Sequence, residues 1–135
     1  MRHPLLGTLA GALAALLLLA ATGCPTSVNA RYHRGQDLLA GKQYQPALDE
    51  FNKILEKEPD GVMALFGKAR CLYGLGKYSE ALPAFEDFLK KTYEQRDIYR
   101  DERYDAEFYR DKCKQALGEE VPQNPADIPP PPMGE

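Results

Sequence analysis

Residues 28–61 read VNARYHRGQDLLAGKQYQPALDEFNKILEKEPDG, and residues 62–95 read VMALFGKARCLYGLGKYSEALPAFEDFLKKTYEQ. Laid over one another at an offset of 34, the two stretches share Ala30/Ala64, Leu38/Leu72, Tyr44/Tyr78, Ala47/Ala81, Leu48/Leu82, Phe51/Phe85, Leu55/Leu89 and Lys57/Lys91. Tyr32/Phe66, Gly35/Ala69 and Ile54/Phe88 are close pairs. A fixed period of this size marks one supersecondary unit written twice, each copy burying its apolar face against the next.

Each unit divides into two helices. In the first, Tyr32, Gly35, Leu38 and Leu39 share one helical face, and Gly41 interrupts. Ala47, Leu48, Phe51, Ile54 and Leu55 form a second face, which Pro59-Asp60-Gly61 ends with turn chemistry. In the second unit, Leu65, Phe66, Ala69, Leu72 and Tyr73 line one helix. Gly74 and Gly76 turn the chain, and Ala81, Leu82, Phe85, Phe88 and Leu89 line the next. Ser79 is expected to cap that last helix. Pro46 and Pro83 are expected in first turns, where a backbone donor has no partner to lose.

The period and these residues resemble the tetratricopeptide repeat. Gly35, Leu38, Ala47, Phe51 and Pro59 match its pattern in the first unit, and Leu65, Ala69, Leu72, Ala81 and Phe85 match in the second. The small pairs Gly35/Ala47 and Ala69/Ala81 let two helices approach closely. Arg31, Arg34 and Lys68 stand at apolar places of that pattern. The aromatic comes one residue late, at Tyr32 and Phe66, and Tyr93 stands where the closing proline belongs. The first unit is therefore expected to be an exposed end repeat.

A partial third unit comes next. Ala106, Phe108, Cys113, Leu117 and Gly118 repeat Ala64, Phe66, Cys71, Leu75 and Gly76 at an offset of 42. The eight extra residues fall between Thr92 and Asp105, and extension of the flanking helices is the expected form. This unit reads as a lone capping helix, with Asp111 at a usually small position. The fold class is thus all-α: tetratricopeptide-like helical hairpins, about two and a half repeats, over residues 30–118. Residues 119–135 are a proline-rich tail, expected to be disordered. Pro129 to Pro132 favour polyproline II, and about 3.1 Å per residue gives the tail a reach of roughly 50 Å.

Arg2 and His3 precede an apolar run from Leu5 to Ala21, and Ala21-Thr22-Gly23-Cys24 closes it. The run is short for a membrane span and ends in small residues, as a cleavable signal does. Those last four residues resemble the lipobox of bacterial lipoproteins, with Ala21 in place of its usual Leu. The resemblance implies a signal peptide at 1–23 with a signal helix, lipid on Cys24, and a linker at 24–29. More than one acyl chain makes a firm anchor, at about 0.8 kcal/mol per buried methylene. Pro25, with no Asp after the cysteine, points by the same resemblance to the periplasmic face of the outer membrane; a secreted, periplasmic protein is the alternative.

Lys and Arg number 17 against 20 Asp and Glu, so the basic face of a nucleic-acid binder is not expected. Residues 24–135 exclude large catalytic folds such as the α/β barrel. His33 is the one histidine beyond the signal, no Gly-rich phosphate loop appears, and no Cys or His pair has zinc spacing. Neither catalysis, a cofactor nor a metal is expected. Cys71 and Cys113 occupy equivalent places in successive first helices and are a candidate disulfide, which an oxidising envelope would favour.

Binding remains. In tetratricopeptide proteins the first helices of successive repeats line a concave groove that takes protein segments. Carried over by position, Gln36, Leu39, Met63, Phe66, Arg70, Tyr73 and Lys112 are the candidate groove residues. Tyr and Arg are frequent anchors of interfaces. Tyr32, Phe66 and Phe108 share one repeat position, which favours packing. Tyr93, Arg96, Tyr99, Arg100, Arg103 and Tyr104 form a second candidate surface. The resemblance implies a membrane-anchored scaffold for assembly of an envelope complex (outer-membrane, pilus or motility). The alternative is a carrier of small ligands or a cell-wall-associated enzyme accessory.

Overall fold

The computed structural model describes residues 27–121 and is all-helical over them. The helices are α1 (Val28–Ala40), α2 (Tyr44–Leu55), α3 (Val62–Gly74), α4 (Tyr78–Lys91) and α5 (Arg100–Ala116), with a 3₁₀ turn at Tyr93–Gln95. The expected signal at 1–23, Cys24, the start of the expected linker at 24–29 and residues 122–135 of the tail lie outside the described residues. Each helix packs on the next, and α1, α3 and α5 also touch in sequence, forming one continuous layer of first helices. Among the described residues no helix is long and apolar enough to cross a membrane.

The repeated positions build the core. Ala47, Ala81 and Ala106 are wholly buried, as are Phe51, Phe85, Phe88, Cys71 and Cys113. Phe51 is the wedge between the hairpins. A Cβ placed on Gly35 would lie 2.9 Å from its ring, and one on Gly67 would lie 2.5 Å from Cζ. Gly35 was legible as a small position; Gly67, which meets the same ring from the neighbouring hairpin, was not.

All three first helices end in the same cap. Lys42 donates to the Leu39 carbonyl and Gln43 to that of Leu38; Gly76 donates to Tyr73 and Lys77 to Leu72; Gly118 donates to Gln115 and Glu119 to Lys114. This is the Schellman arrangement, and it places one residue in the left-handed region. Gly76 (φ 73°) and Gly118 (φ 76°) accept that conformation readily, whereas in the first unit Lys42 holds it at φ 57°.

Several expectations are corrected. Ser79 makes no cap: it is the second residue of α4, whose N-cap position is held by Lys77 without a side-chain cap bond. The observed serine cap is Ser27, whose Oγ accepts from the Ala30 amide at 3.2 Å. Pro46, third in α2, costs no helical bond, since Ala47 makes the first one back to Gln43. Pro83 is sixth in α4, two residues past the first such bond from Ala81 to Lys77, so it removes an interior hydrogen bond. The insertion only partly extends a helix. α5 begins four residues before the start that the 42-residue offset from α3 would give, and the rest forms the 3₁₀ turn and the bend after it.

Arg31 has an electrostatic answer to its apolar place. Its guanidinium donates to Glu50 at 3.0 Å, and Lys53 and Arg34 approach the same carboxylate at 3.4 and 4.0 Å. Glu50 is only 5% exposed. Burial pushes its pKa up, but the Arg31 hydrogen bond and the Lys53 charge outweigh that and hold it below the usual carboxylate value.

Cys71 and Cys113, the candidate disulfide, stand in this structure as two free thiols, each wholly buried. Burial pushes Cys71 up to about 12, against a smaller opposing effect of Arg70, and raises Cys113 also. Disulfide exchange needs a thiolate, and these surroundings suppress it.

Candidate partner-binding groove

The layer of α1, α3 and α5 carries the candidate residues, but it sorts them into different roles. Gln36 is half-buried, and its Nε2 donates to the Tyr32 hydroxyl at 2.8 Å. Phe66 is core: it stacks on Phe88 at 4.9 Å and meets Phe85 edge-on at 6.4 Å. Met63 borders a separate hollow of about 530 Å³ with Asn29, Tyr32 and Val62. Lys112 is exposed on α5, 5.6 Å over the ring of Phe108.

Leu39, Arg70 and Tyr73 do come together. With Ala40, Lys42, Tyr44, Gly74 and Tyr109 they line a hollow of about 310 Å³. The cap at Lys42 and the last turn of α3 bring Lys42 and Arg70 to it, and α5 supplies Tyr109. Tyr73 lies 4.8 Å from Tyr109 and 5.5 Å from Tyr78, centroid to centroid. Burial, then the neighbouring Tyr78, Cys113 and Tyr109, raise the Tyr73 pKa, so its phenol stays neutral at pH 7. Arg70 lies 5.6 Å over the Phe66 ring, a cation–π contact that leaves its donors unused. Neither Arg70 nor Lys42 has a carboxylate partner among the described residues. Two unpaired cations at a hollow walled by tyrosine rings can take a carboxylate beside an apolar or aromatic group.

Lys42, Tyr44 and Tyr109 were missed as site residues. The only signal for Lys42 was its alignment with Gly76, and Tyr109 was hidden behind Phe108, its neighbour at the repeat position. Phe108 itself is not packed as Phe66 is. It is 52% exposed against 3%, because the described chain has no third second-helix for it to rest on. Tyr109 takes the inward role instead, stacked on Phe85 at 5.7 Å.

The second candidate surface also divides. Arg103 is structural: its Nη1 donates to the Leu89 carbonyl at 2.6 Å and to Thr92 Oγ1 at 2.8 Å, closing the end of α4. Tyr99 packs edge-on against Phe88 at 6.4 Å. Tyr93, Arg96, Arg100 and Tyr104 remain exposed. Among the described residues no group of three His, Cys, Asp or Glu could hold a metal ion.

No solved structure matches the chain at a significant level. Residues 32–96 match the family model described as Tetratricopeptide repeat. That span takes in most of α1 and all of α2, α3 and α4, with the wedge Phe51 and the arginine and tyrosine of the hollow, and the two helical hairpins are tetratricopeptide-like, similar to units that mediate contacts between proteins.

Proposed function

We propose that the protein is a non-catalytic, membrane-anchored scaffold that holds a carboxylate-bearing segment of a partner protein in the groove of α1, α3 and α5. The observation that carries this is the 310 Å³ hollow, with Arg70 and Lys42 unpaired beside Tyr73 and Tyr109. A Glu or Asp side chain would meet the cations, and a neighbouring apolar side chain would lie against the rings. The apolar run and Ala21-Thr22-Gly23-Cys24 support lipid attachment at Cys24 and a place on the periplasmic face of the outer membrane, in the assembly of an envelope complex.

Crosslinking in cells, with identification of the captured protein, tests the binding role. Arg70→Ala with Tyr73→Ala is expected to abolish capture while far-UV circular dichroism stays unchanged. Undiminished capture by the folded double variant would remove the groove as the site. Cys24→Ala is expected to release the protein from the membrane fraction, and unchanged fractionation would defeat the anchor.

A further inference from the structure

The large hydrophobic side chains that stand exposed among the described residues are Tyr93, Ile98, Tyr104, Phe108 and Leu117, all in the last third of the described chain. Of these, Tyr104 and Phe108 stand one turn apart on α5, an exposed aromatic pair of the kind that marks an interaction surface. The repeat says where a cover for it belongs. In both complete units the aromatic at the Phe108 position rests on the second helix of its own hairpin: Tyr32 on Phe51 at 6.2 Å, and Phe66 on Phe85 and Phe88. The bare face of α5 is therefore the face that a second helix would occupy.

The chain is aimed at that face. The cap that turns α1 into α2 and α3 into α4 is repeated at Gly118 and Glu119, with bonds of 3.1 and 2.9 Å. In the earlier units it sends the chain back antiparallel along the helix just completed. Val121, three residues past the capping glycine, is already half-buried. Residues 122–135 hold six prolines, a composition that disfavours a packed helix. The position of α5 that would need a small residue for close helix approach holds Asp111, paired with Arg110 at 2.8 Å. A thin, extended segment avoids that obstacle. Phe108 lies about 15 Å and Tyr104 about 21 Å back along the helix from Gly118, at 1.5 Å per residue. Pro129 begins eight residues beyond Val121, within roughly 25 Å in the polyproline II conformation. Exposed aromatics one helical turn apart are the surface on which such segments dock, and the tether supplies a local concentration of about millimolar order.

We propose that residues 122–135 fold back over α5 and cover Phe108 and Tyr104 with Pro129–Pro132, in the place that the second helix of the hairpin takes in the two earlier units. The tail is then an intramolecular cap, separate from the groove.

The chain contains no tryptophan, so Phe108→Trp gives a single fluorescent reporter on the face. The full chain carrying Phe108→Trp is compared, under identical conditions, with the same chain ending at Val121. A third form carries Pro129→Ser, Pro130→Ser, Pro131→Ser and Pro132→Ser together. Far-UV circular dichroism checks that helicity is equal in all three. Truncation and the serine replacement are each expected to red-shift the Trp emission and to raise the acrylamide quenching constant at least twofold, independently of protein concentration. Equal quenching in all three forms overturns the proposal. So does protection that varies with protein concentration but not with the tail, which would assign the face to a second copy. Protection lost on truncation but kept in the serine form overturns the role of the prolines.

Discussion

Replacing Gly67 with Ala adds one methyl group to the interior of a helix, and it has two effects of opposite sign. Helix propensity favours Ala over Gly by about 1 kcal/mol. Against that, the new Cβ would lie 2.5 Å from Cζ of Phe51, 2.6 Å from Cε1 and 2.7 Å from Cε2, so it meets the whole outer edge of the ring. Carbon atoms in contact prefer about 3.5–4.0 Å, so the ring must withdraw by about 1 Å. It has nowhere to go: Phe51 is wholly buried, and Gly35 presses on it from the preceding helix. Overpacking of a pinned ring costs about 3 kcal/mol, the upper end of the usual span. The net expectation is a loss of about 2 kcal/mol, a fall in Tm of roughly 8–16 °C for a domain of this size. Thermal and urea unfolding monitored by circular dichroism measure it. Gly41→Ala is the control, because φ is −75° there and the nearest atom to a new Cβ is 3.5 Å away; it is expected to stabilise by about 0.4–1 kcal/mol. Phe51→Leu should recover part of the loss when combined with Gly67→Ala. If Gly67→Ala proves as stable as the parent, the wedge account of how the two repeats are joined is wrong.

Lys42→Gly relieves a left-handed lysine and is expected to raise stability by about 1 kcal/mol, with Gly76→Ala lowering it by a similar amount in the same urea titration. Pro83→Ala restores a donor in the interior of α4 and is expected to stabilise by about 1–3 kcal/mol, read as a higher Tm. Glu50 has a lowered folded-state pKa, so its contribution is complete above the unfolded value of about 4.3 and disappears as pH falls through the lower folded value. Stability measured from pH 6 to pH 2 should therefore fall less steeply in Glu50→Gln than in the parent, and parallel curves would dismiss the Arg31–Glu50 pair as a source of acid sensitivity.

The hairpins were legible because each repeated apolar position does the same job twice. Ala47 and Ala81 are both wholly buried, and so are Phe51 and Phe85. The third unit was legible only where its surroundings repeat too. Ala106 and Cys113 lie on the helix that packs on α4, as Ala64 and Cys71 lie on the one that packs on α2, and they are buried as their counterparts are. Phe108 and Leu117 lost their neighbours and stand exposed, so position in the repeat no longer fixed their role. Arg103 looked like surface because an arginine in a charged run usually is. Its hydrogen bonds go to a helix end up to fourteen residues earlier in the chain, a pairing that no periodicity encodes. Of the groove residues, Leu39, Arg70 and Tyr73 were readable from position alone. Lys42 reached the hollow through a turn, and turns lie outside the helical period.

The lone helix α5 is also more than an end cap for the core. Tyr109 forms one wall of the hollow, and it is held there by stacking on Phe85 and by its contact with Tyr73. Arg103 ties the start of the same helix to Leu89 and Thr92, while Thr92 donates to the Phe88 carbonyl at 2.7 Å. The half-repeat thus fixes Tyr73 from one side as α1 supplies Leu39 from the other, and two hairpins without it would leave the hollow open. Among the described residues the two repeats gain their third groove wall from a single helix, which explains why the buried contacts of α5 keep the repeat pattern while its outer face departs from it.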